Sequence, residues 1–110
     1  MSEKFVLELT LSKGGEFNNK VIDLPRNCGE KIVIDTVMAE NKGGASRAAF
    51  RLHSFPNEHG AFAEDVFVGR GTRLVMKIAP LIVHPGETLY GVTNAPGVLQ
   101  LRLSGRRGPA

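Results

Sequence analysis

A chain of 110 residues, 42% of them hydrophobic, is long enough to bury one core and too apolar for a disordered segment. Its 14 basic and 11 acidic residues leave a mild excess of +3, and the cations are scattered apart from Arg102, Arg106 and Arg107, so a concentrated nucleic-acid footprint is not evident. The single cysteine, Cys28, excludes an intrachain disulfide, and no apolar run approaches the length of a membrane span.

With no Trp and one Tyr, the core must rest on Val, Leu, Ile and Phe. The opening MSEKFVLELTLSK lacks a long apolar stretch and carries acids early, so no signal peptide is expected and folding in the cytosol is. The length predicts one domain over residues 1–110.

From Lys4 to Lys13, Phe5, Leu7, Leu9 and Leu11 alternate with more polar neighbours, the period of a half-buried strand. Gly14-Gly15 closes it, and a polar loop through Glu16, Phe17, Asn18 and Asn19 follows. Lys20–Leu24 is a short strand ended by Pro25. Glu30–Glu40 is rich in β-branched residues and predicts a strand with Ile32, Ile34, Thr36 and Met38 on one face. Asn41 to Ser46 is a loop by composition.

Arg47–Phe55 places Ala48, Phe50 and Leu52 in phase, against Arg51 and His53. Pro56 to Gly60 is a loop. Ala61–Arg70 puts Phe62, Val66 and Val68 on one parity and Phe67 on the other, with a bend at Glu64-Asp65. Thr72–Val83 aligns Leu74, Met76 and Ile78, is broken by Pro80, and resumes with Leu81-Ile82-Val83. His84-Pro85-Gly86-Glu87 fits a type II turn, with proline second and glycine third. Thr88–Val92 is a strand, and Asn94-Ala95-Pro96-Gly97 is a second Pro-Gly turn. Val98–Ser104 points Leu99, Leu101 and Leu103 inward and Gln100 and Arg102 outward. Residues 105–110 have the composition of a loose basic tail. About eight short strands with no helical period predict an all-β fold, either an antiparallel β-sandwich of jelly-roll kind or a small barrel.

Chemistry is sparse in this pattern. The metal-ligating candidates are His53, Glu58, His59 and His84, but six residues and a proline-containing loop separate His53 from His59, unlike two His one helical turn apart. His84-Pro85-Gly86-Glu87 lacks the second His of a cupin-type metal strand. Cys28 has no adjacent base, and Ser46, Ser54 and Ser104 lack a nucleophile elbow. Glu58, Glu64, Asp65 and Glu87 offer carboxylates without the cleft of a glycosidase. Gly69-Arg70-Gly71-Thr72 joins two strands and so lacks the helix N-terminus of a phosphate loop. Phe50, Phe55, Phe62 and Phe67 are candidates for stacking bases, but alternation sends at least two of them inward. The expectation is a non-enzyme with no catalytic, cofactor or metal residues and no specific nucleic-acid or membrane partner.

The segment IAPLIVHPGETLYGVTNAPGVLQLRLSG adds a resemblance. Its Pro85, Gly86, Glu87, Leu89 and Tyr90, followed by Val98 to Gly105, resemble the closing strands of small structural proteins from tailed-bacteriophage morphogenesis clusters. That resemblance covers the last third of the chain. It implies a virion component, foremost a capsid decoration (cement) protein that stabilises the outer surface of a phage head. The alternative it implies is a tail or adhesion module binding a receptor or carbohydrate, which would need exposed aromatic platforms. The implied partners are major capsid subunits and further copies of the chain in a homo-oligomer, and the implied location is the virion surface. Met1 to Lys4, Gly43, Gly44, Arg102, Arg106 and Arg107 are the expected contact residues, so deletion of residues 106–110 is expected to weaken capsid binding.

Overall fold

Alternation along each segment produces eight strands: β1 (Glu3–Thr10), β2 (Asn19–Asp23), β3 (Glu30–Asn41), β4 (Arg47–Phe55), β5 (Val66–Gly69), β6 (Arg73–Val83), β7 (Thr88–Thr93) and β8 (Leu99–Pro109). The computed structural model describes residues 2–43, 47–57 and 64–110. Gly44, Ser46, Glu58, His59 and Phe62 lie outside the described residues.

Pairing follows a simple rule. Strand β1 pairs with β8, β2 with β7, β3 with β6 and β4 with β5, all antiparallel. The β3–β8 and β4–β7 ladders then join these ribbons into two sheets, β1-β8-β3-β6 and β2-β7-β4-β5. This is the jelly-roll order of a double-sheet sandwich. Both sheets keep two edges, so the sandwich is formed and the closed barrel is not.

Between the sheets lies one apolar core in which Leu11, Ile34, Phe50, Leu52, Leu89, Leu99, Leu101 and Leu103 are fully buried. Ala48, Phe50 and Leu52 point inward as expected, as do Leu99, Leu101 and Leu103. Buried polar side chains make hydrogen bonds both between the sheets and within one of them. Asn41 on β3 donates Nδ2 to the Val68 carbonyl on β5 at 3.0 Å, and Thr93 Oγ1 donates to the Ala49 carbonyl at 2.8 Å. Among the described residues, no buried side-chain nitrogen or oxygen lacks a partner.

Three expectations are corrected. Strand β3 does not keep one parity, because its register shifts between Ile34 and Thr36. Ile32 and Ile34 face the core, but the bulge at Asp35 brings Val37 and Ala39 inside and turns Thr36 and Met38 outward. The facing strand β6 changes phase at the same place, from Ile78 to Leu81 around Pro80, which an edge strand tolerates.

Residues 105–110 are not a loose tail. They extend β8 between β1 and β3 as far as Pro109, and Ala110 donates its N–H to the Gly29 carbonyl at 3.0 Å. Flanking strands on both sides supply the hydrogen bonds that the local composition does not foretell.

The second Pro-Gly turn sits one residue later than expected, since Val98 N–H bonds the Ala95 carbonyl. The first forms as expected: Glu87 N–H bonds the His84 carbonyl at 3.0 Å, with Gly86 at φ 84°.

Candidate functional site

The two outer sheet faces differ in chemistry, and the same period-two alternation that builds the core creates both. On the β1-β8-β3-β6 sheet, the outward rows are Lys4-Arg106-Val33-Ile82, Val6-Ser104-Thr36-Lys77, Glu8-Arg102-Met38-Val75 and Thr10-Gln100-Glu40-Arg73. Lys31, opposite Gly108, continues the outward parity. Among the described residues this face carries Lys4, Lys31, Arg73, Lys77, Arg102 and Arg106 against the carboxylates of Glu8, Glu40 and the exposed Asp35 at the bulge, whose Oδ1 accepts from Thr36 Oγ1. Cations that are scattered along the chain thus come together on one surface, a correction to the impression left by the linear order.

Arg102 is paired with Glu8 at 3.6 Å, and Glu40 with Lys42 at 3.4 Å. One open depression on this face is lined by Glu8, Met38, Glu40, Arg73 and Arg102, and a second by Ser2, Lys31, Val33 and Arg106.

The expected contact residues divide. Lys4, Arg102 and Arg106 share the basic face. Arg107 has the opposite parity, opposite Ile32, and its guanidinium donates to Glu30 Oε2 at 2.6 Å. That hydrogen bond, reinforced by the Glu30 charge, raises the Arg107 pKa. Gly43 follows β3 at the other end of the sheet, beyond the Asn41–Leu99 pair.

The β2-β7-β4-β5 sheet has an aromatic outer face. Its outward rows are Lys20-Tyr90-His53 and Asp23-Thr88-Phe55, with Arg51 next along β4 opposite Val92. Phe17, from the loop before β2, lies over these rows. Its ring meets Tyr90 edge-on at 5.1 Å, His53 at 5.4 Å and Phe55 at 5.6 Å, while His53 stacks on Tyr90 at 5.6 Å. Phe17 is 51% and Phe55 54% exposed.

The loop is held in place around them. Asn19, buried, donates Nδ2 to the carbonyls of Lys13 (2.6 Å) and Gly91 (3.1 Å) and accepts from Lys13 N–H. Arg51 donates to Glu16 Oε1 at 3.1 Å, and His53 Nε2 donates to the Glu16 carbonyl at 3.0 Å. Further along the same face Phe67 is exposed, with the Arg47 guanidinium 3.9 Å above its ring.

The sequence offers His53 only as a metal-ligating candidate on the outward parity of its strand, and the ring cluster is not foreseen from it. The missed signal was the outward parity of Arg51, His53 and Phe55, which matches that of Tyr90 on the neighbouring strand. Of the phenylalanines considered for stacking, Phe50 is in the core, whereas Phe55 and Phe67 are outside.

Among the described residues, no three His, Cys, Asp or Glu side chains come together as metal ligands. Cys28 is half-buried, with Sγ 3.4 Å from the Glu30 carbonyl. Glu87 is buried, and its Oε1 accepts the His84 N–H at 2.8 Å, so this carboxylate braces the first Pro-Gly turn. No helix is long and apolar enough to cross a membrane among the described residues. The two outer faces thus differ in character, one cationic and one aromatic. No protein-family model matches the chain, and no curated protein matches it.

Proposed function

We propose that this chain is a structural virion protein of the capsid-decoration type, which docks through the basic outer face of the β1-β8-β3-β6 sheet onto an acidic, repeated surface of major capsid subunits. The observation that carries the proposal is the convergence of Lys4, Lys31, Arg73, Lys77, Arg102 and Arg106 on one broad face. Such a face steers association with an oppositely charged partner and needs no catalytic group. The resemblance of Pro85 to Gly105 to phage morphogenesis proteins supports the virion setting. The jelly-roll order is compatible with it, although that architecture also serves lectins and cupins. On this reading further copies of the chain surround a symmetry axis of the shell.

The test is cosedimentation with shells assembled from the major capsid protein of the same genome. Arg102→Glu with Arg106→Glu should remove the protein from the shell fraction while leaving it folded. Undiminished occupancy of the double variant would refute docking by this face. Point substitution is preferable to deleting residues 106–110, because the deletion also removes the end of the β8 ladder.

A further inference from the structure

We propose that the aromatic face of the β2-β7-β4-β5 sheet is a platform for a neutral polysaccharide, centred on Phe17, Phe55 and Tyr90. The inference is independent of capsid docking, which uses the opposite side of the sandwich.

Two phenylalanine rings more than half exposed are unfavourable in water; Phe55 is fixed on strand β4, and a loop free to move would fold Phe17 away. Here the loop is fastened in the exposing position. Asn19 makes three hydrogen bonds beneath it, Asn18 Nδ2 bonds the Gly14 carbonyl, and Arg51 and His53 both grip Glu16. The rings are therefore presented in a set arrangement before any ligand arrives, which lowers the entropic cost of binding.

The rim selects the ligand. Arg51 is matched by Glu16 at 3.1 Å, and Lys20 and Asp23 offset one another, so the site has no net charge with which to attract an ion. Asp23 Oδ1 accepts from Thr88 Oγ1 at 2.7 Å beside Phe55. Donors and acceptors of both kinds thus border an apolar centre. Sugar rings present the complementary surface, with C–H faces to lie on aromatic rings and hydroxyls that both donate and accept.

The platform lies on an open sheet face, which suits a polymer laid across the strands. A protein partner would cover roughly 800 Å² of each surface around a larger apolar centre. Here charged side chains adjoin the four rings on several sides, and the next ring along the sheet, Phe67, is capped by Arg47.

Affinity electrophoresis of the whole chain tests this, in gels cast separately with dextran, mannan, galactan or the polyanion alginate. Tyr90 is the only tyrosine and there is no tryptophan, so intrinsic emission reports on the platform alone. The expected result is retardation in at least one neutral gel with a change in Tyr90 emission. Phe17→Ala and Phe55→Ala should each weaken the retardation by roughly tenfold or more at unaltered melting temperature, and Arg102→Glu should not. Free migration through every neutral gel would overturn the proposal, as would retardation by alginate alone or retardation indifferent to both phenylalanines. So would loss of shell binding or of self-association in Phe17→Ala without any neutral-gel retardation, which would show that protein covers the platform.

Discussion

The backbone of Val33 crosses directly over Gly105. A Cβ built on Gly105 would lie 2.9 Å from the carbonyl carbon of Val33, closer still to its oxygen, and 3.0 Å from the Ile34 Cα. The obstacle is the backbone of the neighbouring strand β3, and it cannot swing aside as a side chain would. Gly105→Ala is therefore expected to destabilise by about 3 kcal/mol or more, the upper range for overpacking. Gly86→Ala is the control. It has positive φ, but its Cβ would meet Arg26 only at ordinary contact distance, 3.7 Å, so about 1–2 kcal/mol of backbone strain is expected. Urea denaturation of the two variants should rank them in this order, and an equal or reversed ranking would deny the close crossing.

Asn19 joins the aromatic loop to the sheet. Its side chain satisfies Lys13 N–H and the carbonyls of Lys13 and Gly91, the last of these buried. Asn19→Ala leaves these groups without their partner, at a cost of about 1–3 kcal/mol. It should also release Phe17 from Tyr90, so tyrosine emission should change in the native state, well below the melting transition. Destabilisation with unchanged emission would mean that the Arg51 and His53 bonds to Glu16 suffice to hold the loop.

The sandwich was legible where one face of a strand is wet and the other dry. In β4 and β8 the alternation of Phe50 and Leu52, and of Leu99, Leu101 and Leu103, leaves no other assignment. In β3 both parities are apolar, so the bulge at Asp35 left no compositional mark, whereas Pro80 marked its counterpart on β6. The end of β8 was hidden because Gly-Arg-Arg-Gly-Pro owes its strand state to β1 and β3, far away in sequence. The cationic and aromatic faces were hidden for the same reason. Phe17, His53, Phe55 and Tyr90 come from three separate segments, and only the strand register reveals that they meet.

Phenylalanine position separates folding from recognition. Phe50 is fully buried between the sheets, and Phe50→Ala should cost about 3–5 kcal/mol, a large part of the stability of a domain this size. Phe55→Ala removes an exposed ring and should shift stability by no more than about 0.5 kcal/mol. Thermal melts of the two variants decide the matter. A Phe55 variant as damaged as the Phe50 variant would make the outer rings part of the structural core and not a binding surface.

Charge on the basic face should act on the rate of association more than on stability. Arg102 and Glu8 are both about half exposed and 3.6 Å apart, and such surface pairs contribute about 0–1 kcal/mol. Glu8→Gln should therefore leave the unfolding midpoint nearly unchanged. It removes one of the few carboxylates among the cations of this face, so binding to capsid shells should become faster at low salt. Raising the ionic strength toward 1 M shortens the screening length to roughly 3 Å and should erase the difference between Glu8→Gln and the parent protein. Stopped-flow light scattering across a salt series reads both effects. Association that is insensitive to salt in both proteins would show that this face does not meet an acidic partner.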